Sequence, residues 1–340
     1  MEKVAFVFPG QGAQYPGMGK ELYDQFPLVR EYFQRADEAL GFSLSQLCFE
    51  GPAQDLTMTE NAQPAILTMS CAVAALVEAE MGIVPVAAAG LSLGEYSALV
   101  AAGMLDFEVA VSLVARRGRY MQEAVPEGVG GMAAIFGLSA QEVEKLCWET
   151  PGVVEPANYN SPGQVVVSGE KEAVAALVAV AKENGARRAR ELEVSAPFHC
   201  SMLQPAADRL TEDLAGIEFH SPRFPVLSNV EADVVGLKRV RELLARQVAS
   251  PVRWQQCVEK LQAMGMETLV ETGPGRVLSG LVRKTARELK TINVEKGTDL
   301  GKIEEELYAK GSDSFGHRRQ PRHWPGNSIA AGQGGRQGSD

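Results

Sequence analysis

The sequence is short of the residues that build metal centres and disulfide frameworks. Its 340 residues hold five cysteines, Cys48, Cys71, Cys147, Cys200 and Cys257, odd in number and without CxxC spacing. Neither a disulfide scaffold nor a zinc site is expected, and the cysteines read as small core residues. Long apolar runs are missing as well. No apolar stretch of about eighteen residues, the length a membrane span needs, occurs. The N-terminal segment MEKVAFVFPGQG ends its short apolar run in Pro9-Gly10 and carries no cleavage site, which suits a first buried strand. A soluble cytoplasmic protein with no membrane partner is expected. Positive charge is in deficit, with a formal net charge of −10, which argues against nucleic acid as a partner. Histidine is scarce: His199, His220, His317 and His323 are the whole supply.

What is present is apolar, at 45% hydrophobic residues, enough to bury a sizeable core. From Val4 to about Pro126, apolar strand patterns alternate with helical ones, as in VAFVFPG, PLVREYFQRADEALG and QPAILTMSCAVAALVEAEMG. This order predicts an α/β fold with a buried parallel sheet. The rhythm then changes. GGMAAIFGL reads as a strand, SAQEVEKLCWET as a helix with Ser139 as N-cap and Glu142 in capping-box register, and VVEPANYN with QVVVSGE as a hairpin around Ser161-Pro162-Gly163. KEAVAALVAVAKENG and RRARELEVS add a helix and a strand, completing the β-α-β-β-α-β order of a ferredoxin-like unit. The α/β pattern resumes through MLQPAADRLTEDLAG, the strand FPVLSNV, KRVRELLARQVA and ETLVETGPG, and ends with the helix RVLSGLVRKTA. The division expected is a large catalytic domain from 1–126 and 197–310, a small insertion at 127–196, and a cleft between them.

Chemistry is first suggested by AGLSLGEYS, residues 89–97. Gly90-Leu91-Ser92-Leu93-Gly94 fits G-x-S-x-G, in which a strand turns sharply into a helix and presents a serine hydroxyl at the apex. A serine N-cap in a glycine-rich turn is the plainer alternative. A nucleophile needs a base. His317 and His323 lie near the C-terminus, His220 reads as a surface or packing residue, and His199 in SAPFHCSML sits where the chain re-enters the large domain, at the cleft mouth. The sole aspartate between serine and histidine is Asp106, at an N-cap-like position, and no glutamate stands at a strand end there. A Ser-His dyad, its imidazole oriented by a backbone carbonyl or an amide side chain, is therefore expected.

FVFPGQGAQYPGMG, GLSLGEYSALVAAG, RRGRYMQEAVPEG, NYNSPGQVVVSG, VSAPFHCSML, QVASPVRW and ETGPGRVLSGL follow one another in this order. In this the chain resembles the malonyl-CoA:acyl carrier protein transacylases, from about Val4 to Glu305. The resemblance implies a large α/β-hydrolase-like domain with an inserted ferredoxin-like one. It implies an acyltransferase of fatty acid or polyketide biosynthesis that moves malonyl from coenzyme A to the phosphopantetheine thiol of acyl carrier protein. It implies Ser92 as nucleophile, His199 as base, Gln247 as the residue supplying the acceptor for the second imidazole nitrogen, and Gln11 and Leu93 as backbone donors of the oxyanion hole. Arg117 is implied as the anchor of the malonyl carboxylate, and Phe198 as a pocket residue that excludes a 2-methyl branch. No metal and no bound cofactor is implied, coenzyme A thioester being substrate. One departure stands out: Leu91 occupies a position where the family usually has histidine.

Gly10 and Gly12 let the Gln11 backbone approach an oxyanion. The N–H after an elbow nucleophile opens a helix and points at developing charge. An arginine fork suits a carboxylate by two charge-assisted hydrogen bonds. Arg116 is expected to face solvent, and Arg187, Arg188 and Arg190 to form either a docking patch for an acidic carrier protein or a plain strand edge. The rival functions are a serine acyl-hydrolase and a non-catalytic carrier-protein-binding module.

From Gly311 onward apolar periodicity is lost, and a disordered tail at 311–340 is expected. A permitted choice of codons for Ser314 to Ile329, shifted by one base, reads Ala-Leu-Val-Thr-Gly-Gly-Asn-Arg-Gly-Ile-Gly-Arg-Ala-Ile-Ala-Leu. That resembles the glycine-rich start of short-chain ketoacyl reductases and points to a frameshift-derived tail without catalytic role.

Overall fold

The computed structural model describes residues 2–194 and 196–308. The expected tail at 311–340 lies outside the described residues.

The first strand, β1 (Val4–Phe8), is buried along its whole length, as a run of apolar residues covered on both faces requires. It pairs in parallel with β2 (Ala87–Gly90), so that Phe8 lies opposite Gly90. Side chains of β1 alternate between two cores, as the period of a strand dictates. Ala5 and Val7 pack with Ala87, Ala89, Trp254 and Cys257, while Phe6 and Phe8 face the helical core on the other side. That core is built around the helix Thr59–Met81, whose 23 residues are long and apolar enough to cross a membrane by composition and are mostly buried inside the protein. The expectation began this helix at Gln63, just before Pro64. It begins at Thr59 instead, because burial of its apolar residues outweighs the one hydrogen bond lost at Pro64.

The second unit runs β3 (Gly130–Phe136), the helix Ala140–Glu149, β4 (Val154–Ser161), β5 (Gln164–Glu170), the helix Lys171–Glu183 and β6 (Arg188–Glu191). Its sheet is antiparallel in the order β4-β5-β3-β6. The Ser139–Glu142 capping box forms on both sides, with Ser139 Oγ accepting from the Glu142 N–H at 3.2 Å and Glu142 Oε2 accepting from the Ser139 N–H at 2.7 Å. One face of this sheet packs on its two helices through Ile135, Val143, Leu146, Val165 and Leu177. The opposite face presents Met132, Ala134, Ala157 and Val166 to Phe198. Two backbone hydrogen bonds, Tyr159 N–H to the Val252 carbonyl at 2.9 Å and Val252 N–H to the Ala157 carbonyl at 2.8 Å, tie β4 to the rest of the chain.

The parallel sheet is completed by β7 (Thr268–Thr272) and β8 (Lys290–Val294), in the order β2-β1-β7-β8. Two segments depart from the sequence expectation. FPVLSNV is not a ladder strand: Val226 forms only an isolated bridge to Ala88. Pro225 has no N–H to donate, and Asn229, next to last in the segment, has its backbone and side chain committed elsewhere. Nor does the α/β pattern end with the helix Val277–Thr285. The strand β8 and the helix Asp299–Ile303 follow it, Ile292 and Val294 supplying the buried face of an edge strand.

Candidate active site

The turn from β2 into the helix Gly94–Ala101 needs its glycines for a steric reason. A Cβ on Gly90 would stand 1.9 Å from the Gly94 carbonyl carbon, and one on Gly94 would stand 2.1 Å from the Phe8 carbonyl oxygen. Between them Ser92 takes φ 53°, a left-handed conformation that non-glycine residues hold only where the surroundings enforce it. Asn229 is one such support. Its Oδ1 accepts from the Ser92 N–H at 2.6 Å and its Nδ2 donates to the Gly90 carbonyl at 2.7 Å. Gly10 lies against the same turn, since a Cβ there would meet the Leu91 carbonyl oxygen at 2.4 Å. The loop after β1 is thereby held beside the serine.

His199 also has a left-handed backbone, φ 62°, and is buried. Its Nε2 lies 2.7 Å from Ser92 Oγ and its Nδ1 lies 2.8 Å from the Gln247 backbone carbonyl oxygen. A carbonyl only accepts, so Nδ1 carries the proton and Nε2 offers its lone pair to the serine hydroxyl. Burial, joined by the nearby Arg117 charge, lowers the His199 pKa from 6.5 to about 4, against the pull of backbone hydrogen bonds at Gln247 and Ser250. The imidazole is neutral near pH 7, the form that can accept a proton.

Arg117, on the buried face of the helix Phe107–Glu123, is 1% exposed. Its Nη1 donates to Gln63 Oε1 at 2.7 Å, and its Nη2 donates to Gln247 Oε1 at 2.9 Å and to Ser92 Oγ at 3.3 Å. The guanidinium carbon lies 5.3 Å from the Tyr96 ring centroid. Among the described residues Arg117 makes no ion pair and its Nε has no hydrogen-bond partner. Burial lowers its pKa.

The other expected site residues fall as follows. The Gln11 side chain donates to Thr59 Oγ1 at 3.3 Å. The backbone N–H groups of Gln11 and Leu93 meet no protein acceptor among the described residues. Phe198 is partly buried between the helical core and the open face of the small sheet. Leu91 packs on the cluster that contains Trp254, so its side chain belongs to the apolar layer beneath the turn. Arg116 is half-exposed and bonded to Asp213 at 2.8 Å. His220 is half-exposed, 3.7 Å from Asp106. Among the described residues no group of three or more His, Cys, Asp or Glu side chains is placed to hold a metal ion.

Three residues of the site were not anticipated: Asn229, Gln63 and Glu95. An acid is sought by pattern at strand ends, whereas Glu95 sits one residue into a helix. Its signal was compositional, an acid within the otherwise small and apolar segment GEYSALVAAG. Gln63 similarly interrupts an apolar helix.

A serine on a strand-to-helix elbow, a neutral histidine at its hydroxyl and free N–H groups beside it define a serine acyl-transfer enzyme. The family model for the acyl transferase domain matches residues 5–312, and the chain belongs to that family. Within it, the chain falls among the malonyl CoA-acyl carrier protein transacylases. The relative so named from Bacillus subtilis (strain 168) is 51% identical over 298 residues, covering 86% of this chain and 94% of its own. That from Escherichia coli (strain K12) is 48% identical over 287 residues, covering 84% and 93%. A crystal structure of malonyl CoA-acyl carrier protein transacylase from Clostridium perfringens aligns with a TM-score of 0.88 at 44% identity, over 91% of this chain and 98% of that one. A malonyl-transacylase solved with its type II PKS acyl-carrier protein aligns with a TM-score of 0.86 at 44% identity, over 88% and 98%.

Proposed function

We propose that this chain moves malonyl from coenzyme A to the phosphopantetheine thiol of acyl carrier protein through a seryl ester on Ser92, in fatty acid or polyketide biosynthesis. The observation that carries the reading is Arg117. A buried guanidinium 3.3 Å from the serine hydroxyl, bonded to amide oxygens rather than to a carboxylate, is suited to an acyl group that brings its own negative charge.

Ser92 Oγ attacks the thioester carbonyl while His199 Nε2 takes its proton. The Gln247 carbonyl at Nδ1 stabilises the imidazolium that forms. The tetrahedral oxyanion is held by the backbone N–H groups of Gln11 and Leu93. Its collapse breaks the C–S bond, and the imidazolium returns the proton to the leaving coenzyme A thiolate. In the second half the carrier-protein thiol attacks the seryl ester, gives its proton to His199, and leaves Ser92 as the hydroxyl again. Relay through one serine implies ping-pong kinetics. Malonyl-CoA and acyl carrier protein are the partners, and no step calls on a metal or a bound cofactor. Phe198 narrows the pocket beside the α-carbon of the acyl group.

The finer fold reading is an α/β-hydrolase-like domain, 1–126 and 197–310, with a ferredoxin-like insertion at 127–196. It is supported by the β-α-β-β-α-β order and the β4-β5-β3-β6 arrangement of the small sheet. Arg187, Arg188 and Arg190 are exposed on or beside the edge strand β6 and offer a basic patch to an acidic carrier protein. A cytoplasmic location goes with this chemistry. The test is incubation with radiolabelled malonyl-CoA followed by peptide mapping. Label on Ser92, discharged by carrier protein, is expected; label elsewhere, or none, defeats the mechanism.

A further inference from the structure

Glu95 is 1% exposed on the first turn of the helix that follows Ser92, and among the described residues it forms no ion pair. Its Oε2 accepts two hydrogen bonds, from Gln247 Nε2 at 2.6 Å and from the Asn229 N–H at 3.0 Å. Its Oε1 has no partner among the described residues. The Gln247 amide is thereby given a direction. Its Nε2 points to Glu95 and to the Ser92 carbonyl, 3.0 Å away, while its Oε1 faces Arg117 Nη2 at 2.9 Å. Turned over, the amide would set its NH2 against guanidinium donors and its oxygen against a carboxylate and a carbonyl. Both contacts would be repulsive in a buried site, where unmet polar groups are expensive.

We infer that Glu95 is a positioning residue of the acyl-transfer site. Its Oε2 holds the Gln247 amide in the orientation that offers an acceptor to Arg117, and so keeps the guanidinium aligned beside Ser92 for an anionic acyl group. The inference rests on the reading of Arg117 as carboxylate anchor. What position 95 must supply is an acceptor, not a charge, because both donors converge on one oxygen. Burial pushes the Glu95 carboxyl up to about 7, with the Asn229 N–H, the Gln247 amide and Arg117 pulling it down, so the carboxyl is partly protonated near neutrality.

The experiment measures kcat/KM for acylation by malonyl-CoA and by acetyl-CoA, which has no free carboxylate, in wild type, Glu95→Ala, Glu95→Gln and Gln247→Met. Glu95→Ala should lower the malonyl-to-acetyl ratio about 10–100-fold, the scale of a hydrogen bond to a charged group. Glu95→Gln should restore the ratio to within a few-fold, since its amide oxygen can take both donors. Gln247→Met should match Glu95→Ala, and the double variant should fall no further, both acting on one link. A ratio unchanged in Glu95→Ala while both rates fall together would mean a merely structural role and overturn the inference. Glu95→Gln as defective as Glu95→Ala would overturn it too. Should Glu95→Ala not fold, a folded Gln247→Met with an unchanged ratio is decisive against it. Failure of the underlying reading looks different: Arg117→Ala itself would then leave the malonyl-to-acetyl ratio unchanged, and the inference would fall with it.

Discussion

Arg117 Nη2 stands 3.3 Å from the Ser92 hydroxyl oxygen, the same oxygen that lies 2.7 Å from His199 Nε2. One buried cation thus stands at the Ser92 hydroxyl and acts on the His199 imidazole through its charge. That charge joins burial, the larger cause, in lowering the His199 pKa, which keeps the imidazole neutral.

Replacing Ser92 by alanine removes a hydroxyl from the apex of the turn. Malonyl-enzyme formation should be abolished, and transfer to carrier protein should fall to background. Intact-protein mass spectrometry after incubation with malonyl-CoA reads the first, and transfer near the wild-type rate would show that another residue is acylated.

The acidic limb of kcat/KM should lie near pH 4 rather than near 6.5, because the His199 pKa is lowered in the folded protein. The sign for stability follows from the same shift. Between 6.5 and about 4 the unfolded chain binds a proton at this histidine that the folded chain does not, so stability falls as pH falls through that window. His199→Gln should flatten this slope in urea titrations and slow acylation about 10²–10⁴-fold, the usual worth of a general base. An unaltered acidic limb in a residually active variant would assign the titration to another group.

Glu95 should contribute to pH dependence with the opposite sign. Its pKa is raised from 4.5 to about 7, so the folded state holds a proton that the unfolded state has released, and stability falls as pH rises through that range. Glu95→Gln should remove this loss. Urea midpoints of the two proteins at pH 5 and pH 8 check it, and parallel profiles would contradict the shift.

Arg117→Ala should collapse malonyl transfer while sparing acetyl transfer. A malonyl carboxylate left buried without its partner loses on the order of 2–5 kcal/mol, by analogy with broken buried pairs. Water then competes for the acyl-enzyme and appears as hydrolysis. The ratio of malonyl to acetyl turnover is the measurement, since misfolding lowers both, and an unchanged ratio would rule Arg117 out as the carboxylate anchor.

Asn229→Ala should lower both stability and kcat. It leaves the Ser92 N–H and the Gly90 carbonyl without their side-chain partners, and each buried polar group so orphaned costs about 1–3 kcal/mol. Thermal unfolding and acylation rate measured together should fall together, and a variant as stable and as fast as wild type would show that the turn does not depend on Asn229.

Much of this molecule was legible in local sequence because local chemistry fixes it. The Ser139 capping box, the hairpin at Ser161-Pro162-Gly163 and the apolar run of β1 depend on neighbours a few positions away, and each forms where the pattern put it. Gly90 and Gly94 were readable too, since only a residue without a side chain tolerates the close approach at the turn. Edge strand β8 was missed although Ile292 and Val294 alternate with polar residues, because five residues of edge strand make a weak pattern. What tertiary structure alone decided is the environment of the reacting groups. Ser92 meets Asn229 across 137 positions and Glu95 meets Gln247 across 152, and no periodicity encodes such encounters. The direction of the Gln247 amide, the neutrality of His199 and the desolvation of Arg117 are properties of a closed, low-dielectric site. They exist only once the helix carrying Arg117, the elbow carrying Ser92 and the segment carrying Gln247 have packed against one another and excluded water.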